Sequence, residues 1–103
     1  MSHRFLLHPE AGRDIQEIWE FIAQDSVSAA RRVREEIQEA IHDIARFPQQ
    51  GHRHPDLTSR PLRFRIVRNY LIAYAPEKPM LVVAVMHGKR NPRVIAAVLR
   101  SRE

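Results

Sequence analysis

Leu62-Arg63-Phe64-Arg65-Ile66-Val67-Arg68-Asn69-Tyr70-Leu71-Ile72-Ala73-Tyr74-Ala75 is the stretch that decides the fold. From Leu62 to Val67 the residue types alternate. In an extended chain this puts Leu62, Phe64 and Ile66 on one side and Arg63 and Arg65 on the other. Arg68-Asn69 then reads as a tight turn. Tyr70 to Ala75 is the returning strand, closed by Pro76-Glu77-Lys78-Pro79. Met80 to His87 follows and is nearly all apolar, the pattern of a central strand covered on both faces. Gly88 ends it. Consecutive strands with short turns predict an antiparallel sheet.

Upstream, the period changes from two to about three and a half. Ala11, Ile15, Ile18, Trp19 and Ile22 fall on one helical face, predicting a helix from about Pro9 to Gln24. Pro9 suits a first helical turn, where its missing N–H costs nothing. Asp25-Ser26-Val27-Ser28 is a turn rich in capping residues. Ala30, Val33, Ile37, Ala40, Ile41 and Ile44 stripe a second helix, from roughly Ser28 to Arg46. Phe47-Pro48-Gln49-Gln50-Gly51 ends it, and His52 to Pro61 is a loop. Before the helices, His3 to His8 reads as a short strand. After the strands, Asn91 and Pro92 pair as cap and first turn of a short helix to about Leu99. The order is β-α-α-β-β-β-α, an α+β fold. An N-terminal strand and an αα-hairpin pack on a mainly antiparallel sheet, with a short C-terminal helix, in one domain over residues 1–103. The hairpin shields only one sheet face. Yet Tyr70, Ile72 and Tyr74 alternate with Leu71, Ala73 and Ala75, and Leu81, Val83 and Val85 with Val82, Ala84 and Met86. Both faces are apolar, so the second face needs cover, in part from the last helix and in part from a docked partner chain.

Composition narrows the function classes. The chain has 103 residues, 44% of them hydrophobic, and no cysteine. It is long enough for one small core and has neither a disulfide framework nor a thiolate metal site. No apolar run reaches membrane-spanning length, and Met1-Ser2-His3-Arg4 lacks the apolar region of a signal peptide, so a soluble cytoplasmic protein is expected. The charge is uneven. Residues 1–47 carry six Arg against nine Asp and Glu, whereas residues 48–103 carry eleven Lys and Arg against three acids. A basic half of this kind suits an acidic partner, either nucleic acid or an acidic protein segment.

The ordered set of segments resembles a known family. Pro9-Glu10-Ala11, Asp14-Ile15, Ile18-Trp19 and Phe21-Ile22 look like the first helix of ParE-type toxins, within the RelE/ParE superfamily of bacterial type II toxin–antitoxin pairs. Ile44-Ala45-Arg46-Phe47-Pro48 with Gly51 resembles the end of their second helix. Pro61-Leu62-Arg63, Tyr70-Leu71-Ile72-Ala73-Tyr74 and Val83-Ala84-Val85-Met86-His87-Gly88-Lys89-Arg90 resemble their strands and final turn. The resemblance implies a toxin held inactive by a cognate antitoxin, whose extended C-terminal segment would fill the uncovered face, in a possible heterotetramer. ParE-type relatives imply DNA gyrase as the target. RelE-type relatives imply mRNA cleavage on the ribosome, a metal-independent endoribonuclease. A third option is an inactive toxin that serves only in an autoregulatory complex.

Candidate chemistry follows from the residues. Ribonucleolysis needs an activated 2′-OH, an acid for the leaving group and cations for the developing charge. RelE-type relatives use Lys and Arg clusters and usually a late Tyr or His. This chain departs from that pattern: its only lysines are Lys78 and Lys89, and no Tyr follows Tyr74. His87 is the remaining candidate acid or base, with Arg63, Arg65 and Arg90 as candidate cations. A histidine that caps the end of a strand is the competing reading. Arg63, Arg65 and Arg68 suit phosphate or carboxylate recognition, or else keep an edge strand soluble. Lys89, Arg90 and Arg93 complete a candidate partner-binding set, the alternative being a solvated terminus. His52-Arg53-His54 with Asp56 lacks a convincing ligand frame, so no metal and no cofactor is expected. Trp19, Tyr70 and Tyr74 read as core rather than stacking platforms.

Overall fold

The computed structural model describes residues 4–103. The expectations placed on residues 1–3, including His3 as the start of the first strand, lie outside the described residues. Strand β1 spans Phe5–Leu7, helix α1 Pro9–Ala23, helix α2 Val27–Arg46, β2 Arg63–Val67, β3 Tyr70–Ala75, β4 Met80–His87 and helix α3 Pro92–Ser101. A single 3-10 turn at Pro48–Gln50 follows α2.

Each helix starts where its sequence supplies an acceptor. His8 Nδ1 accepts the Glu10 N–H ahead of α1, Ser26 Oγ accepts Ala29 N–H at α2, and Asn91 Oδ1 accepts Arg93 N–H at α3. These bonds satisfy backbone donors that a helix cannot pair internally. Ser26 thus moves the start of α2 one residue ahead of the expected Ser28, to Val27.

The sheet order is β1-β4-β3-β2. β2 pairs with β3 and β3 with β4 antiparallel, while β1 lies parallel to β4. The central place of β4 accounts for its apolar sequence. The αα-hairpin covers one face. Val33, Ile37, Ile41 and Ile44 from α2 and Ala11 and Ile15 from α1 meet Ile72, Tyr74, Met80, Val82 and Val85.

The opposite face differs from expectation in two ways. First, the β3–β4 register shifts between Ala73 and Tyr74, a β-bulge. Val83 and Ala84 therefore both lie in the second core, with Val82 and Val85 in the first. Strict alternation along β4 fails because a bulge adds one residue to one strand. Second, the face expected to be covered only in part by the last helix, and otherwise by a partner, is packed over by the chain's own α3 and long loop. Ile95 and Leu99 of α3, with Leu57 of the long loop, pack on Leu71, Ala73, Val83, Ala84 and Met86. The most exposed of these five sheet residues, Leu71, keeps only 7% of its surface accessible. Among the described residues, exposed apolar surface on this face is reduced to Ile66 at the β2 edge.

Two clamps fix this arrangement. Tyr74, fully buried, receives a hydrogen bond from Gly51 N–H at 2.9 Å and donates one to Pro48 O at 2.8 Å, pinning the segment after α2 to the sheet. At the other end, Arg102 bonds Asp14 through two nitrogens, at 2.6 and 2.9 Å. Beyond the short β1, the outer edge of β4 has no strand partner among the described residues, and this pair takes its place. Asp14 accepts Val85 N–H at 2.9 Å, and Arg102 donates to Val83 O at 3.0 Å. One ion pair thus ties α1 to the chain end just past α3 and caps part of a sheet edge.

Candidate functional site

The structure separates the expected site residues into two groups. Arg63, Arg65 and Arg68 are all tied within the chain, Arg65 and Arg68 to α2 and Arg63 to the segment after it. Arg63 donates to Gly51 O at 2.8 Å. Arg65 donates to Asp43 at 3.0 Å and to Gln50. Arg68 grips both oxygens of Glu36, at 2.8 and 2.6 Å. The Glu36 carboxyl is held below its ordinary pKa by the Arg68 hydrogen bond, opposed by desolvation. Arg68 takes a left-handed backbone, φ 54°, in the two-residue turn between β2 and β3. These arginines brace β2 and the turn after it against α2 and the segment that follows α2.

The second group gathers where β4 turns into α3. His87 ends β4 opposite Tyr70, and their rings meet edge to face at 5.6 Å. Gly88 N–H donates to Asn69 O at 2.7 Å, fastening this turn to the one between β2 and β3. His87 Nδ1 accepts Lys89 N–H at 3.2 Å. With Nδ1 used as an acceptor, a neutral ring carries its proton on Nε2. Lys89, Arg90 and Arg93 are exposed, and none is in an ion pair among the described residues.

Two clefts flank this turn, and Tyr70 and Arg90 belong to both. One, about 270 Å³, lies between α1 and α3 and is lined by Glu17, Ile18, Phe21, His87 and Val98 among others. The other, about 430 Å³, runs from the Arg68-Asn69 turn to the start of α3 over Leu57, Ile66, Leu71 and Ile95. His87 and Arg90 thus share one cleft, while Arg63 and Arg65, on the same sheet face as His87, sit out on edge strand β2 with their guanidinium groups held by Gly51 and Asp43. The four candidates for nuclease chemistry do not converge. A larger concavity of about 750 Å³, at the opposite end of β4 around Phe47 and Met80, contains none of the expected site residues.

The loop histidines are held in separate contacts. His52 pairs with Phe64 through its backbone, and His54 Nδ1 stands 4.0 Å from Asp56 while its ring lies edge-on to Phe64. Among the described residues no three His, Asp or Glu side chains come together as ligands. Tyr74 is wholly core, whereas Tyr70 and Trp19 are only partly buried, with the Arg34 guanidinium 5.7 Å from the Trp19 ring centre. No helix among the described residues is long and apolar enough to cross a membrane.

The Asp14–Arg102 pair is the feature that sequence reading missed. A signal was present. Asp14 is three residues after Ala11 and four before Ile18, on the flank of the apolar stripe, where a carboxylate needs a partner. Nothing local pointed to Arg102 as that partner.

No curated protein sequence matches the chain. Residues 5–92 match the family described as ParE toxin of type II toxin-antitoxin system, parDE. That span runs from the first strand to the first residue of α3 and includes both helices of the hairpin and the whole sheet. The chain belongs to the ParE toxin family of type II toxin–antitoxin systems.

Proposed function

We propose that this toxin acts in the cytoplasm by binding DNA gyrase and blocking replication, without chemistry of its own, and that a cognate antitoxin neutralises it, in a heterotetramer where the pair assembles further. Maintenance of the plasmid or chromosomal segment encoding the pair follows from that role. The observation that carries the reading is the division among the cations. Arg63, Arg65 and Arg68 are committed to internal partners, which leaves Lys89, Arg90 and Arg93 around one turn as the surface for a partner. A protein-binding toxin needs such a surface and no acid–base pair. The test is a supercoiling assay with purified, antitoxin-free chain. Loss of gyrase supercoiling with accumulation of cleaved DNA is the expected result; unaltered gyrase would remove the proposal.

One observation favours a second reading. His87, Tyr70 and Arg90 line the same cleft of about 270 Å³. If the chain is a ribosome-dependent endoribonuclease, His87→Ala abolishes mRNA cleavage and toxicity together. Toxicity that survives His87→Ala leaves His87 as the cap of the turn.

A further inference from the structure

We infer that the outward face of α3, with the turn before it, binds the phosphate backbone of duplex DNA, so that this surface meets the DNA that gyrase holds. The inference rests on the reading that gyrase is the target, and it says which part of the target the charged turn touches.

Charge supplies the first argument. From Met80 to Arg102 the chain has five Lys and Arg and no Asp or Glu. Arg102 is taken by Asp14. Lys89, Arg90, Arg93 and Arg100 are exposed, and none of them is in an ion pair among the described residues. Glu17 and Asp56 line the two clefts beside Arg90, but neither belongs to α3.

Placement supplies the second argument. Ile95 and Leu99 bury one side of α3 against the sheet. At about 3.6 residues per turn, Arg93, Ala97 and Arg100 fall together on the opposite side, and all three are exposed. Arg93 and Arg100 are two turns apart, about 10 Å along the helix axis. The major groove of DNA is about 12 Å wide, so the two guanidinium groups can reach phosphates on its opposite edges. Ala97 between them is too small to hold the helix away. Lys89 and Arg90 stand at the N-terminal end of this row. An acidic protein segment fits the face less well. Protein partners are held mainly by side chains seated in apolar pockets, and none of the clefts described above is lined by Arg93, Ala97 or Arg100. A polyanion of regularly spaced charge needs no pocket.

The experiment titrates the whole chain against a fluorescein-labelled 20-base-pair duplex of mixed sequence and reads anisotropy at several salt concentrations. Four phosphate contacts predict that log K falls against log salt with a slope of about −3.6. The double variant R93Q/R100Q is expected to bind at least tenfold more weakly and to flatten the slope by about 2. Ala97→Glu should also weaken binding at least tenfold, with unchanged circular dichroism. Arg31→Gln, exposed on α2 across the sheet, should alter neither affinity nor slope. In the complex of toxin, gyrase and DNA, Ala97→p-benzoylphenylalanine should cross-link to a DNA strand on irradiation. Absence of duplex binding, unchanged binding by R93Q/R100Q, competition by polyglutamate as strong as by duplex, tighter binding of single-stranded RNA, or a cross-link to a gyrase subunit instead of DNA would each overturn the inference. The supercoiling assay separates it from the reading on which it rests. A chain that inhibits gyrase but binds no duplex sinks only this inference, and one that binds duplex through α3 but leaves gyrase unaltered sinks only the gyrase reading.

Discussion

Tyr74 shows how much one polar atom inside an apolar core contributes. Its ring fills the first core, and its hydroxyl holds the segment after α2 through Gly51 and Pro48. Tyr74→Phe should cost about 1–3 kcal/mol, because it leaves the buried Gly51 N–H without an acceptor; urea unfolding measures it. Gly51→Ala should be worse. A Cβ at that position would meet the Tyr74 hydroxyl and lie 2.9 Å from the Phe64 carbonyl oxygen, and backbone cannot easily yield. Burial pushes the Tyr74 hydroxyl above its ordinary pKa of 10.0, against the pull of the Gly51 bond and of Arg63 and Arg65. A raised folded-state pKa means that the stabilisation is complete below pH about 10 and is lost as pH rises through the folded value. In a Tyr70→Phe background Tyr74 is the only tyrosine, so its absorbance titration is read alone. A midpoint above 10 is expected, and one at or below 10 contradicts the burial argument. The sequence marked Tyr74 as core but could not reveal its hydroxyl partners, which lie more than twenty positions away. The same limit applied to Arg63, Arg65 and Arg68. Alternation placed Arg63 and Arg65 on one face correctly, but only the packed α2 shows that Asp43 and Glu36 await Arg65 and Arg68.

At the scale of elements, periodicity told the most where one face meets a core. All six residues of the expected α2 stripe are buried. Ile41, 2% exposed, stands against the sheet. Ile41→Asp should therefore unfold or aggregate the chain by burying an unpaired charge; a variant with normal circular dichroism and solubility would overturn the facing of α2. The β-bulge was invisible because a strand buried on both faces shows no alternation to interrupt. The edge of β4 yields a sharper prediction. Asp14 and Arg102 are 14% and 10% exposed, so the pair is largely removed from water. Arg102→Ala should cost about 3 kcal/mol or more, since it leaves a buried carboxylate without its cation. It also frees Val83 O at an open edge, so sedimentation should show self-association that the parent chain lacks. Replacing both residues by leucine should recover part of the lost stability, because two apolar groups leave no stranded charge. If the single variant is as stable as the double one, the pair is not the clamp described.

At the scale of the molecule, the sequence foresaw that both sheet faces need cover and that the last helix gives part of it, but it assigned the rest to a partner chain. α3 and Leu57 supply it, because the turn at Gly88 folds the chain back across the sheet instead of away from it. That finding removes the vacant face as an argument for a partner. It leaves the charged turn at Lys89, Arg90 and Arg93 as the surface on which a partner would act. The residues that a nuclease would need are also apart, with the strand arginines tied down along β2 and His87 at the end of β4. The central claim is therefore that this toxin stops replication by binding protein rather than by cutting RNA. Its most direct test is pulse-labelling of cells after the chain is induced alone, comparing thymidine with methionine incorporation. The account predicts that thymidine incorporation falls first, with His87→Ala equally toxic. Methionine incorporation falling first would contradict it and move the target to the ribosome.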